Sequence, residues 1–174
     1  MKSELRYGII GAGSMGREHI ENIKVMGGAT ITAISDPHAP SQEAALAMAP
    51  GAKVFTDHRA LLDSGLVDAV VIATPNDTHA AVLKDALTTD LAVFVEKPLA
   101  TTVEDLKSIL AWDEKRSAMT WMGLEYRFMP PVAEAIARAK EGEAGKIHQV
   151  SIREHREPFY PKVDNWNRFA ERTG

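Results

Sequence analysis

Gly11-Ala12-Gly13-Ser14-Met15-Gly16 stands between an apolar run, residues 7–10, and a helical pattern over residues 15–26. A G-x-G-x-x-G turn between a strand and a helix is typical of dinucleotide binding. In such a turn Gly11 allows the tight bend, Gly13 lets a pyrophosphate approach the backbone, and Gly16 lets the helix pack closely on the strand. The amides and positive dipole end of the helix, beginning at Ser14 and Met15, then face the phosphates. The alternative is a glycine-dependent bend without a ligand.

The next apolar run, residues 30–35, ends at Asp36, which lies 20 residues after Gly16. At this spacing an acidic side chain accepts hydrogen bonds from the ribose hydroxyls of a dinucleotide. A carboxylate also repels a 2′-phosphate, and Pro37 and His38 supply no arginine to bind one. The sequence therefore favours NAD over NADP as the cofactor. An Asx turn before Pro37 is the structural alternative for Asp36.

Strand and helix patterns alternate through the first 123 residues, and several strands are continuously apolar. This pattern predicts an α/β domain, a Rossmann-type doubly wound parallel sheet, over residues 1–123. Ser41, Asp57 and Thr102 are predicted to begin helices. Residues 124–174 predict a linking helix and the start of an α+β second domain. Within it, residues 147–154 alternate between polar and apolar, as an amphipathic strand does.

A lone amphipathic strand needs a sheet to join. We therefore expect the rest of the second domain to come from a longer natural chain or from another subunit. In the latter case the strand would form a homo-oligomer.

Composition narrows the class of protein. The chain has 174 residues, a net charge of −4 and no cysteine. The negative charge does not favour nucleic acid as a partner, and the lack of cysteine excludes disulfides and thiolate metal sites. No apolar run has the length of a membrane helix or resembles a signal peptide. We expect a cytoplasmic protein with no metal site and no membrane partner.

Two polar loops follow buried strands, at the edge of the sheet where open α/β folds bind ligands. Thr74-Pro75-Asn76 follows one strand and Glu96-Lys97-Pro98 follows another. The structural alternative for the first is a helix cap by Thr74 or Asn76. For the second it is a surface ion pair before a proline turn.

The motifs together resemble one family, the glucose–fructose oxidoreductase, inositol dehydrogenase and rhizopine-catabolism (Gfo/Idh/MocA) oxidoreductases. The glycine turn comes first, and the remaining motifs follow in the family's order: Ala73-Thr74-Pro75-Asn76-Asp77-Thr78-His79, Glu96-Lys97-Pro98-Leu99-Ala100, Tyr126-Arg127-Phe128 and Gly145-Lys146-Ile147. The ordered set is far more specific than any single motif.

The resemblance implies an enzyme that exchanges hydride between a nicotinamide and a secondary alcohol of a sugar- or polyol-like substrate. It implies that Lys97 is catalytic, that Glu96 lies by the nicotinamide ribose, and that the Thr74-Pro75-Asn76 loop contacts the cofactor. For His79, cofactor contact and a place in the structure remain equally open. Arg127 and Trp166 are candidate substrate contacts, with a structural arginine between domains and a partly ordered tail as the alternatives.

The resemblance also implies a histidine that acts as the main acid/base, beyond the last residue of this chain. The alternative function is therefore a nucleotide-binding or assembly module without turnover. A remnant that no longer binds the cofactor is a third hypothesis.

Overall fold

One parallel sheet forms the centre of the structure, a computed structural model in which residues 4–155, 158 and 161–174 are described. Its strands are β1 (Leu5–Ile10), β2 (Ala29–Ser35), β3 (Lys53–Phe55), β4 (Ala69–Ile72), β5 (Ala92–Glu96) and β6 (Thr120–Gly123). They lie in the order β3-β2-β1-β4-β5-β6, and every neighbouring pair is parallel. The order reverses between β1 and β4, and such a switch point opens a crevice at the carboxyl ends of the strands.

The α-helices are α1 (Ser14–Met26), α2 (Ala39–Met48), α3 (His58–Leu62), α4 (His79–Ala86), α5 (Val103–Asp113), α6 (Pro130–Lys140) and α7 (Ala170–Thr173). Helices α1 to α5 connect the strands and cover both faces of the sheet, and α6 and α7 follow the last strand. Three 3₁₀ helices span Asn76–Thr78, Glu125–Phe128 and Val163–Arg168. The predicted Rossmann-type α/β fold is confirmed.

The core consists of two apolar clusters, one on each face of the sheet. Ile9 and Val71 belong to the cluster with α1 and α2, whereas their neighbours Ile10 and Ile72 belong to the cluster with α4. Successive side chains of a strand point to opposite faces, so a strand covered on both sides must be apolar at every position. This explains the continuous apolar run of β4, which is buried throughout.

Helix starts follow the predicted caps at two of three positions. Asp57 accepts a hydrogen bond from the amide of Arg59, and Thr102 accepts one from the amide of Asp105. The prediction for Ser41 was wrong, because α2 begins earlier, after His38, with a proline in its first turn. Proline is tolerated in the first turn of a helix, because the N–H that it lacks would have no intrahelical partner there. The helix can therefore begin at Ala39, before Ser41.

The chain divides into two compact units, one formed by residues 1–123 and 162–174 and the other by residues 124–161. The tail from Lys162, grouped with the second domain in the sequence analysis, thus packs with the sheet. In the second unit α6 carries an ion pair between Arg138 and Glu134 at 2.7 Å.

The predicted strand over residues 147–154 is not formed, and these residues have no regular secondary structure. An alternating pattern creates a strand only where a neighbour pairs with its backbone. Ile152 is 87% exposed here.

In the part of the chain that the structure describes, every helix is too short or too polar to span a bilayer.

Candidate functional site

The glycine turn connects β1 to α1 at the carboxyl edge of the sheet. A Cβ on Gly16 would lie 1.9 Å from the carbonyl oxygen of Gly11, so only glycine fits there. Gly11 has a φ of +92°, and a Cβ there would lie 2.6 Å from the backbone of Ala73. By contrast, a Cβ on Gly13 would meet nothing within 4 Å. The first and third glycines thus serve the packing of the turn, while the second leaves open space in front of it.

The open space faces the N-terminus of α1. Gly13 precedes the helix, and no side-chain hydrogen bond caps it. Ser14 and Met15, in the first turn, are exposed. The first amides of a helix have no intrahelical partner and attract anions. The structure therefore leaves an open, positively polarised surface at the start of α1.

Asp36 follows β2 and reaches back to the glycine turn. Its Oδ2 accepts a hydrogen bond from the amide of Ala12 at 2.7 Å, and its Oδ1 accepts one from the amide of His38 at 2.8 Å. The second bond is the predicted Asx turn, so Asp36 shapes the loop. A carboxylate has about four acceptor sites, which leaves lone pairs for two ribose hydroxyls. The residue fits both roles at once.

His79 lies beneath the two polar loops. Its side chain is buried, with 1% exposure, between the loop after β4 and the loop after β5. Nε2 lies 2.9 Å from the carbonyl oxygen of Thr74, and Nδ1 lies 2.6 Å from the carbonyl oxygen of Pro98. Both nitrogens lie against carbonyl oxygens of the protein, which favours the structural alternative for His79. His79 joins the loops to each other.

Glu96 ends β5 and is also buried. His19, on α1, donates a hydrogen bond from Nε2 to Glu96 Oε1 at 2.8 Å, and its ring packs edge-on against Phe94 with the centroids 5.0 Å apart. Burial alone would raise the pKa of Glu96. The hydrogen bond and charge of His19, together with Lys97, outweigh it and leave this pKa below its ordinary value. The glutamate is thus held ionised, and it ties the helix of the glycine turn to the Lys97 loop.

Lys97 itself is exposed at the same edge. Its backbone is held in place, since the residues on either side are fixed by Glu96–His19 and by Pro98–His79. Thr74 is partly buried, and its Oγ1 accepts a hydrogen bond from Thr78 Oγ1 at 2.8 Å, which closes the turn before α4. The helix cap predicted for Thr74 or Asn76 is not formed by their side chains.

The tail adds groups that the sequence analysis did not include. Asn76 donates from Nδ2 to the carbonyl oxygen of Thr173 at 3.2 Å, and Arg172 pairs with Asp77 at 3.0 Å. At its other end, Lys162 donates a hydrogen bond from Nζ to Ser14 Oγ. The tail therefore touches both the loop after β4 and the start of α1. These contacts join residues up to 148 positions apart, and no local pattern marks them.

The remaining predicted site residues fall in different parts of the chain. Trp166 is half-buried in the tail, within the first unit. Arg127 lies in the 3₁₀ helix Glu125–Phe128 of the second unit.

His19 was missed as a site residue because it fits the apolar pattern of α1. Its polar side chain, one turn after Gly16, was the available signal.

Comparison with known proteins identifies the family. Residues 5–124 match the family described as an oxidoreductase family with an NAD-binding Rossmann fold. Inositol 2-dehydrogenase of Corynebacterium glutamicum is 37% identical over 149 residues, covering 84% of this chain and 44% of the relative. Inositol 2-dehydrogenase of Rhizobium meliloti is 31% identical over 170 residues, covering 98% of this chain and 49% of the relative.

Solved structures give the same result. Myo-inositol dehydrogenase from Lactobacillus casei, in complex with NAD(H) and myo-inositol, has a TM-score of 0.76 and 33% identity, over 79% of this chain and 42% of that one. The chain spans under half the length of these relatives. The open Gly13, the uncapped start of α1 and Asp36 are the groups that fit NAD in this chain. Because the family match covers most of this chain, the chain belongs to the oxidoreductase family with the NAD-binding Rossmann fold.

Proposed function

We propose that this chain is the NAD-binding part of a dehydrogenase that transfers hydride between the nicotinamide and a secondary alcohol of a polyol or sugar-like substrate. The observation that carries the proposal is the convergence of three groups at one edge of the sheet. The glycine turn with its uncapped helix follows β1, the Asp36 carboxylate follows β2 and the Lys97 loop follows β5, so all three lie at the carboxyl edge of the sheet. Bound NAD supplies the group that accepts or returns the hydride.

Residues of this chain bind and orient the cofactor. Gly13 and the first amides of α1 hold the pyrophosphate, and Asp36 accepts hydrogen bonds from the adenosine ribose hydroxyls. The Asp36 charge disfavours a 2′-phosphate, which is why NAD is preferred. The Thr74-Pro75-Asn76 loop and Glu96 border the nicotinamide half.

Lys97 is the catalytic residue of this proposal. Its ammonium donates a hydrogen bond to the substrate oxygen and stabilises the negative charge that develops there as hydride leaves the carbon, while the hydroxyl proton passes to the acid/base histidine that the family resemblance implies. Arg127 and Trp166 are proposed substrate contacts, since a guanidinium and an indole both suit a hydroxylated ring. The polyol class is supported by the relatives, which are named inositol 2-dehydrogenases.

The first test is a fluorescence titration with NADH and, separately, with NADPH. We expect saturable binding that is tighter for NADH. Asp36→Asn removes the charge but keeps an acceptor oxygen, so it should narrow the difference between the two cofactors. Asp90→Asn is the matched control, since Asp90 is exposed and precedes β5 at the opposite edge of the sheet. Equal binding of both cofactors by the unsubstituted chain would contradict the role of Asp36, and absence of NADH binding would overturn the proposal.

Turnover is tested by following NADH formation from NAD with myo-inositol and other polyols. Loss of turnover in Lys97→Met with NADH affinity retained supports the catalytic assignment. Binding of NADH without turnover of any polyol would limit this chain to cofactor binding.

A further inference from the structure

Three cationic side chains gather at the start of α1. Lys162 comes from the tail and donates to Ser14 Oγ, the first residue of the helix. Arg17, one turn further on, donates from Nη1 to the carbonyl oxygen of Ala12 at 2.9 Å, on the glycine turn itself. Lys97 approaches from the loop after β5, close enough to act on the charge of Lys162. The group therefore surrounds the surface that Gly13 leaves open.

Among the described residues, positive charges around Lys162 outnumber the negative ones. Burial lowers the pKa of Lys162, the positive charges of Lys97 and Arg17 lower it further, and only Glu18 opposes them. Among the described residues no carboxylate forms an ion pair with Lys162. A partly buried ammonium beside two further cations is unfavourable unless an anion joins them. The excess of positive charge at the start of α1 therefore suits an anionic ligand.

The tail is fixed at its far end as well. Arg172 pairs with Asp77, and Asn76 donates to Thr173, so the segment is anchored beside the loop after β4. The segment that carries Lys162 to the start of α1 is therefore attached by two contacts to the loop after β4. A lysine held in this way loses less conformational freedom on binding a ligand than a free surface lysine does.

We propose that Lys162 is a cofactor-binding residue, which reaches from the tail across the start of α1 and binds the pyrophosphate opposite the glycine turn. This inference rests on the proposed function, because the anion is the pyrophosphate of the dinucleotide. Gly13 and the helix amides hold one side of the pyrophosphate, and the Lys162 ammonium, with Arg17 beside it, holds the other.

The test compares Lys162→Met with Lys162→Arg in the full 174-residue chain, with NADH, ADP and adenosine as probes. We expect Lys162→Met to weaken NADH and ADP binding about tenfold, equivalent to roughly 1.4 kcal/mol, with adenosine affinity unchanged. Lys162→Arg should retain binding of all three. Lys115→Met is the matched control, since Lys115 is an exposed lysine between α5 and β6, at the opposite edge of the sheet.

The pH dependence supplies a second measurement. Because the free-state pKa of Lys162 is lowered, ADP affinity of the unsubstituted chain should fall as the pH rises toward 10.5, the ordinary lysine value. Arginine stays charged there, so Lys162→Arg should show a shallower fall.

Three results decide between the hypotheses. Unchanged ADP affinity in Lys162→Met overturns the inference while leaving the proposed function intact. An equal loss for ADP and adenosine also overturns it, because that result assigns Lys162 to holding the tail. Failure of the unsubstituted chain to bind NADH overturns the proposed function and this inference with it.

Discussion

The glycine turn and the pair of loops after β4 and β5 reach the same edge of the sheet by different means. The turn is fixed by backbone geometry, since Gly16 packs against Gly11 within six residues of chain. The loop pair is fixed by one buried side chain, His79, which contacts carbonyl oxygens of Thr74 and Pro98. The glycine turn itself is therefore fixed by residues close in sequence, whereas the loop pair depends on a side chain that joins two separate segments.

Breaking the turn should have the largest effect. In Gly16→Ala the new Cβ would lie 1.9 Å from the Gly11 carbonyl oxygen, a backbone atom that cannot move without shifting the end of β1. We expect a loss of at least about 4 kcal/mol in the free energy of unfolding, measured by urea denaturation. Gly13→Ala is the matched control, because its Cβ meets nothing within 4 Å. A stable Gly16→Ala protein with an unchanged fold would contradict the packing described for the turn.

Breaking the loop pair should cost somewhat less. His79→Ala removes a fully buried ring that lies against two carbonyl oxygens, for which we expect a loss of about 3 kcal/mol in the free energy of unfolding. Amide hydrogen exchange should rise in residues 74–76 and in residues 97–99 together, since one side chain holds both loops. His38→Ala is the control, because His38 is exposed. Faster exchange in one loop alone would show that His79 does not couple them.

The difference between the glycine turn and the loop pair explains which features of the site could be predicted from the sequence. The fold, the glycine turn and the position of Asp36 follow from local spacing and from apolar runs, so they could be predicted. His79 forms its contacts across 19 residues of chain, and Glu96 pairs with His19 across 77. Periodicity does not show which polar groups meet after folding. The same limit affected residues 147–154, whose alternating pattern indicates a strand but cannot supply its partner.

A substitution at Gly13 should change the affinity for the cofactor without lowering the stability of the fold. Gly13→Ala adds a methyl group to open space, so the thermal midpoint should stay close to that of the unsubstituted chain or rise slightly. The same methyl occupies the approach to the pyrophosphate, and we expect NADH affinity to fall at least about tenfold. Titration with NADH measures this, with Gly51→Ala as a control in a turn with equal free space. Unchanged affinity would place the phosphates away from the turn.

The smallest expected effect concerns Glu96, whose hydrogen bond with His19 joins the two sides. Its pKa is lowered in the folded chain, so its ionised form stabilises the fold at pH values above the ordinary value of 4.5, and this contribution is lost as the pH falls through the folded value. Glu96→Gln keeps an acceptor for His19 but carries no charge at any pH. We therefore expect the unsubstituted chain to be more stable than the variant at pH 7, by less than about 1 kcal/mol, and this advantage to shrink in acid.

Denaturation of both proteins between pH 3 and pH 7, a range set by ordinary carboxyl titration near 4, measures that difference. Adding His19→Gln, alone and combined with Glu96→Gln, completes a double-mutant cycle that isolates the pair from its surroundings. A coupling energy near zero at pH 7, or an advantage that does not change with pH, would mean that α1 and the Lys97 loop are held independently. A favourable coupling that disappears in acid would mean that the ionised glutamate joins the glycine-turn helix to the Lys97 loop.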